Sequence, residues 1–219
     1  MQELTTKDYS VKLETGNLED VALHLANAYQ RNQNYFSRTI PFFDILVREP
    51  EVNEHNAQNW LIGTPGYGNE SLTVMRPIFL KEARDYSSLD FENLVTHEIC
   101  HRFQVYHFDF RVPFWLYEGL AGYIGKQVDP IRYGSITKEE IIPIRRSHSP
   151  SEFYTNLNYD CVFSIVHLLH EMFSKDKIFE FMKISNNSDT FEESGDKFSK
   201  VFKMSIDEFE QPWMKFLNS

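Results

Sequence analysis

Phe91-Glu92-Asn93-Leu94-Val95-Thr96-His97-Glu98-Ile99-Cys100-His101-Arg102-Phe103 is the stretch on which the reading of this chain turns. Apolar residues at Phe91, Val95, Ile99 and Phe103 recur at helical spacing, which predicts an α-helix that packs this side inward. Side chains four apart lie almost above one another on a helix, so His97 and His101 present two imidazoles on one face. Glu98 follows His97 at about 100° round the axis and borders the same patch. Two histidines and a carboxylate in the order His-Glu-x-x-His make half a zinc site with a general base beside it. Leu94, His97, Glu98 and His101 occupy the other side of the helix from the row Phe91, Val95, Ile99 and Phe103, an arrangement that packing alone does not explain. Ser87 or Ser88 is placed to cap this helix, with Asp90 and Glu92 in a first turn favoured by the helix dipole.

A catalytic zinc takes three protein ligands and keeps a position open. The third is expected downstream, and Glu118, seventeen residues after His101, is the candidate. It lies in Trp115-Leu116-Tyr117-Glu118-Gly119-Leu120-Ala121, predicted as a second helix that starts near Pro113. A carboxylate among apolar residues is costly to bury without a cation or a hydrogen-bond partner.

Around this pair of helices the chain reads as α+β. Residues 18–36 carry apolar side chains at helical spacing, and Phe42 to Val47, bounded by Pro41 and Pro50, reads as a strand. Trp60 to Gly63 is a second candidate strand, Thr64 to Asn69 has turn chemistry, and Ser71 to Ile78 alternates as a third strand. Residues 130–150 are expected to be irregular, and helices are expected over 159–173, 176–185, 190–203 and 206–217. Ser205-Ile206-Asp207-Glu208 has the spacing of a capping box at the start of the last. Strands first and helices later suit an α+β protein.

Composition narrows the functional classes. A chain of 219 residues with 42% apolar content can bury a substantial core. The net charge of −10 argues against a nucleic-acid partner, which demands a dense Lys/Arg patch. No run approaches the roughly 20 apolar residues of a membrane span, so no membrane partner is expected. The first residues lack the basic start and apolar run of a secretory signal, which predicts a cytoplasmic location. Cys100 and Cys161 are expected to be buried thiols rather than a disulfide framework. His167, His170 and Glu171 are close enough along a helix to suggest a second metal patch, but a solvated face is the simpler expectation.

The set His97-Glu98-x-x-His101 followed by Trp115-Leu-x-Glu118-Gly-x-Ala-x-Tyr123 resembles the gluzincin zinc metallopeptidases, in the peptidase MA-like family. The resemblance is strong at these residues and extends loosely over about 40–217. It implies a single zincin-like catalytic domain over 1–219, with an N-lobe to about 105, a small β-sheet beside the active-site helix, and a helical C-lobe from about 106. It implies one catalytic zinc on His97, His101 and Glu118, with Glu98 activating water. It also suggests Tyr159 as the hydrogen-bond donor to the transition state, with Tyr154 in reserve. The strand at 71–76 is expected to hold an extended peptide or protein substrate by edge pairing.

The chain departs from the family in two places. The aminopeptidase branch carries a Gly-x-Met-Glu-Asn element that Thr73 to Pro77 lacks, and position 122 is glycine where a thermolysin-like aspartate would orient a ligand. The resulting expectation is a zinc endopeptidase. A regulatory or non-catalytic gluzincin-like binding protein and a zinc exopeptidase or amidase on small peptides are the competing readings. Glu98 argues against a purely structural metal, which has no use for a base.

Overall fold

The structure is a computed structural model that describes residues 1–14, 17–48, 63–65, 71–75, 88–127 and 159–218. These form an α+β protein of two compact units, Met1–Tyr106 and His107–Ser219.

The first unit begins with two strands that the sequence reading passes over, β1 (Gln2–Thr5) and β2 (Tyr9–Leu13). Thr6 makes the turn between them: its hydroxyl accepts from the amides of Asp8 and Tyr9 and donates to the Tyr9 carbonyl. Helix α1 (Leu18–Phe36) follows, its N-terminus capped by the Asn17 side chain on the Glu19 amide and its C-terminus by Ser37 in the left-handed region. Strands β3 (Phe43–Arg48), β4 (Gly63–Pro65) and β5 (Ser71–Met75) complete a sheet of order β1-β2-β3-β5-β4.

β2, β3 and β5 are parallel neighbours, with β1 and β4 antiparallel at the two edges. The register sets Tyr9 opposite Phe43, Val11 opposite Ile45 and Leu13 opposite Val47. All six are buried, as the period of two requires when one face covers a core. On the other face the Ser10 hydroxyl bonds to the Asp44 carboxylate.

Two expectations for this sheet are corrected. Thr64 and Pro65 continue the strand from Gly63 rather than forming a turn; Pro65 is tolerated because β4 is an edge, where a missing N–H need not face a partner. β5 pairs with β3 on one side and β4 on the other, so it offers no free edge for a peptide. The rest of the candidate strand at 60–63, the proline at 77 and the segment 130–150 lie outside the described residues.

Helix α2 (Ser88–Phe108) carries the His-Glu-x-x-His run, with its first nineteen residues in this unit. Phe103 stacks on Phe36 at 5.3 Å between ring centroids and meets Tyr29 at 5.6 Å, which holds α2 against α1. The Arg102 guanidinium lies 5.7 Å over the Phe43 ring, tying the same helix to β3.

In the second unit, Asp109 (φ 63°) ends α2 and a short 3-10 turn, Asp109–Arg111, leads to α3 (Phe114–Ile124). Pro113 sits at its N-cap, and its carbonyl accepts from the amides of Leu116 and Tyr117. Helices α4 (Tyr159–Met172), α5 (Lys175–Ile184), α6 (Phe191–Phe202) and α7 (Ile206–Leu217) follow. The expected capping box at Ser205 and Glu208 is present, and Thr190 with Glu193 forms a second. Phe181, Phe198, Phe202 and Phe209 interlock as an aromatic core with centroids 4.6–5.7 Å apart. The Trp213 indole donates to the Ser164 hydroxyl at 2.9 Å, fastening α7 to α4. Cys100 and Cys161 are buried thiols. Among the described residues no helix is long and apolar enough to cross a membrane.

Candidate metal centre

α2 is buried on nearly every side between Phe91 and His101. Phe91, Val95, Ile99 and Phe103 are fully inaccessible, but Leu94, His97, Glu98 and His101 are also no more than 7% exposed. Polar groups in such a helix need partners. One set is met by α1. The Glu92 carboxylate accepts from Arg31 Nη2 at 2.6 Å, Asn27 Nδ2 at 3.0 Å and His24 Nδ1 at 3.1 Å. Burial raises the Glu92 pKa, but these bonds and the Arg31 charge outweigh it, so the carboxyl sits below its ordinary range. One turn on, the buried Asn32 amide donates to the Thr96 carbonyl at 2.9 Å. These bonds fix the rotation of α2 about its axis immediately before His97.

A second set of polar groups lies on His97 and His101. Their rings are 4.7 Å apart and nearly perpendicular at 87°, the product of four-residue spacing on one helix. His101 Nδ1 donates to Gln104 Oε1 at 2.9 Å, both side chains being buried.

Glu118 is 5% exposed in α3, between the fully buried pairs Trp115–Leu116 and Leu120–Ala121. Two glycines on that helix admit α4 at close range. A Cβ on Gly119 would stand 2.5 Å from Val166 Cγ2 and 2.7 Å from the Val162 carbonyl oxygen; one on Gly122 would enter the Phe163 ring. α3 can carry a buried carboxylate at a fixed place because its backbone packs this tightly beside it.

One ligand atom each from His97, His101 and Glu118 lies within 4.8 Å of the others, and all three residues are buried. Two imidazole nitrogens and a carboxylate oxygen so gathered can hold a metal ion. No other such group occurs among the described residues. Glu98 is buried beside His97 and is not one of the three.

Tyr159 opens α4 with 42% of its surface exposed, its ring 5.8 Å from Phe163. Tyr154 lies outside the described residues. The His167, His170 and Glu171 patch is not among the metal-holding groups of the described residues; Glu171 is exposed and lies 3.7 Å from His167, as on a solvated face, but the two histidines are half-buried. His170 stacks on Tyr123 at 3.8 Å, His167 meets Phe216 edge-on at 5.1 Å, and the His170 Nδ1 donates to the Val166 carbonyl. Burial pushes His170 down to about 4. The aromatic neighbours supplied by Tyr123 and Phe216 convert an expected surface into packing. Gln104 is the site residue that sequence reading misses; its only signal is a position three after His101, on a neighbouring part of the same face.

Compared with known proteins, the chain matches no family model and no curated protein.

Proposed function

We propose that the protein is a zinc-dependent metallopeptidase of gluzincin type and zincin-like fold, cleaving peptide or protein substrates internally. The observation that carries this reading is the buried gathering of His97, His101 and Glu118, with Glu98 on the same helix next to the first ligand. The donor set fits zinc. Two neutral imidazoles and one carboxylate are the three-ligand pattern of catalytic sites, and no cysteine enters to suggest a closed structural site. Zinc held there supplies Lewis acidity, bringing a water pKa to about 7 and polarising the scissile carbonyl.

The chain's own residues do the rest. His97 and His101 hold position through a helix anchored on its far side by Arg31, Asn27 and Asn32. The Glu98 carboxylate receives the proton of the attacking water and passes it to the leaving amine nitrogen, which makes it base and then acid. Burial of Glu98 keeps competing solvent from that carboxylate. The Tyr159 hydroxyl, at the exposed start of α4, is the donor to the oxyanion that forms as the carbonyl is attacked.

The test is mass-spectrometric profiling of a diverse peptide library incubated with zinc-loaded wild type and with Glu98→Gln. Cleavage by wild type alone, stopped by a chelator, is the expected result, with internal cuts marking an endopeptidase. Zinc bound by both proteins with no cleavage by either would sink the peptidase reading and leave a metal-binding protein.

A further inference from the structure

The metal cluster leaves one chemical question open, which is what sets the protonation of its two imidazoles. A neutral histidine offers one lone pair, and the nitrogen that carries the proton cannot ligate. His101 Nδ1 is 2.9 Å from Gln104 Oε1, an atom that only accepts hydrogen bonds. Nδ1 must therefore carry the proton, and Nε2 becomes the ring's one ligand atom. Gln104 is wholly inaccessible and His101 is 3% exposed, so water does not compete for this bond. The two residues lie three apart on α2, which holds the pair within one rigid element.

We infer that Gln104 is the positioning residue of the metal centre: it locks His101 in the Nδ1–H tautomer and aims Nε2 at the ion. This inference rests on the metal-site reading proposed above. It supplies the orienting partner absent at Gly122, where an aspartate would be expected by resemblance. Outer partners of metal-bound histidines are carboxylates, backbone carbonyls or waters in most sites, and their loss weakens metal binding by about 10–100-fold. A neutral amide is a weaker acceptor than a carboxylate, so it orients the ring while adding less basicity to it.

The first measurement needs no substitution. Long-range nitrogen-15 spectra of the histidine rings in metal-free wild type, with His101 assigned from the signal missing in His101→Gln, report the tautomer directly. A protonated Nδ1 with an unprotonated Nε2 is expected; a proton on Nε2 would overturn the inference.

The second measurement compares zinc and cobalt affinities, by competition with a chromogenic chelator, in wild type, Gln104→Met and Gln104→Glu. Thermal melting serves as the check on folding. Gln104→Met keeps the bulk but loses the acceptor and should weaken binding by about 10–100-fold, with a changed cobalt absorption spectrum. Gln104→Glu restores the acceptor and should bind within a few-fold of wild type or more tightly. Equal affinity in all three would refute the role of Gln104 and leave the metal site standing. Absence of metal binding by wild type would instead remove the site itself.

Discussion

Gly119→Ala is the substitution that most directly tests how Glu118 is held. On an isolated helix it would stabilise, since alanine is favoured over glycine by about 1 kcal/mol in a helix interior. Here the new Cβ would stand 2.5 Å from Val166 Cγ2 and 2.7 Å from the Val162 carbonyl oxygen, where ordinary contact begins at 3.4 Å. The valine methyl can turn aside, but the carbonyl belongs to the backbone of α4 and cannot. The two helices must therefore part by more than half an ångström. Overpacking of this kind costs about 1–3 kcal/mol or more, which exceeds the propensity gain. A net loss of about 1–2 kcal/mol corresponds to a melting temperature lower by about 2–8 °C for a chain of this length.

The same displacement carries Glu118, one residue earlier, out of register with the ligand atoms now within 4.8 Å. Zinc affinity should fall with stability. Adding Val166→Ala removes the side-chain obstruction but not the carbonyl, so rescue should be partial. At Gly122 the three nearest atoms all belong to the Phe163 ring and none to backbone, so Phe163→Leu should rescue Gly122→Ala more completely. Thermal denaturation and metal titration of the four variants measure all of this. A Gly119→Ala protein that melts at or above the wild-type temperature, with undiminished zinc affinity, would refute the close-packing account.

Glu118→Ala should weaken zinc binding by more than the 10–100-fold typical of an outer partner; unchanged affinity in a chelator competition would remove Glu118 from the site. Tyr159→Phe should lower kcat by about 10²-fold with little change in KM if its hydroxyl meets the oxyanion, and wild-type kinetics would return Tyr159 to packing. His170 gives a pH signature. Its folded pKa of about 4 lies below the ordinary 6.5, so the unfolded chain takes up the proton first as pH falls. Its contribution is complete above about pH 6.5 and is lost as pH drops towards 4, by up to about 3 kcal/mol. Urea midpoints of wild type and His170→Phe between pH 7.5 and 4.5 should diverge, and parallel curves would contradict the burial of the neutral ring.

Much of the helical part of the fold was legible because each helix announces itself several ways at once. Residues 18–36 show the apolar spacing and end where α1 ends; Ser205 and Glu208 announce α7 three residues apart. The strands were harder. β1 is exposed at every position and carries no apolar signal; it is held by its pairing with β2 and by the Gln2 side chain, which accepts from the Leu18 amide at 3.0 Å. Tyr9-Ser10-Val11-Lys12-Leu13 does alternate, but five residues near a terminus make a weak period. Pro65 misdirected the reading by its turn chemistry, when edge position makes it acceptable in a strand. At the site, Glu118 was legible as a charge stranded in an apolar helix. Gln104 was not, because a glutamine has no metal chemistry of its own and becomes significant only once His101 Nδ1 is seen to point at it.

The polar residues of α2 explain why a simple two-sided reading of that helix captured its chemistry and missed its anchoring. Glu92 and Thr96 are four apart and form one stripe, served by Arg31, Asn27, His24 and Asn32 from α1. His97 and His101, also four apart, form another, rotated well away from the first and supported by Gln104. The helix is buried on nearly every side and yet carries two polar seams. A polar group in such a helix destabilises the fold unless something meets it. The first seam is met within the protein, and its effect is to lock the helix in rotation and depth. The second gathers ligand atoms around a point where Glu118 contributes a third. Glu98, buried next to His97, stands outside the ligand trio. Under the proposed function that carboxylate carries the proton from water to the leaving amine, a role that a purely structural metal site does not require.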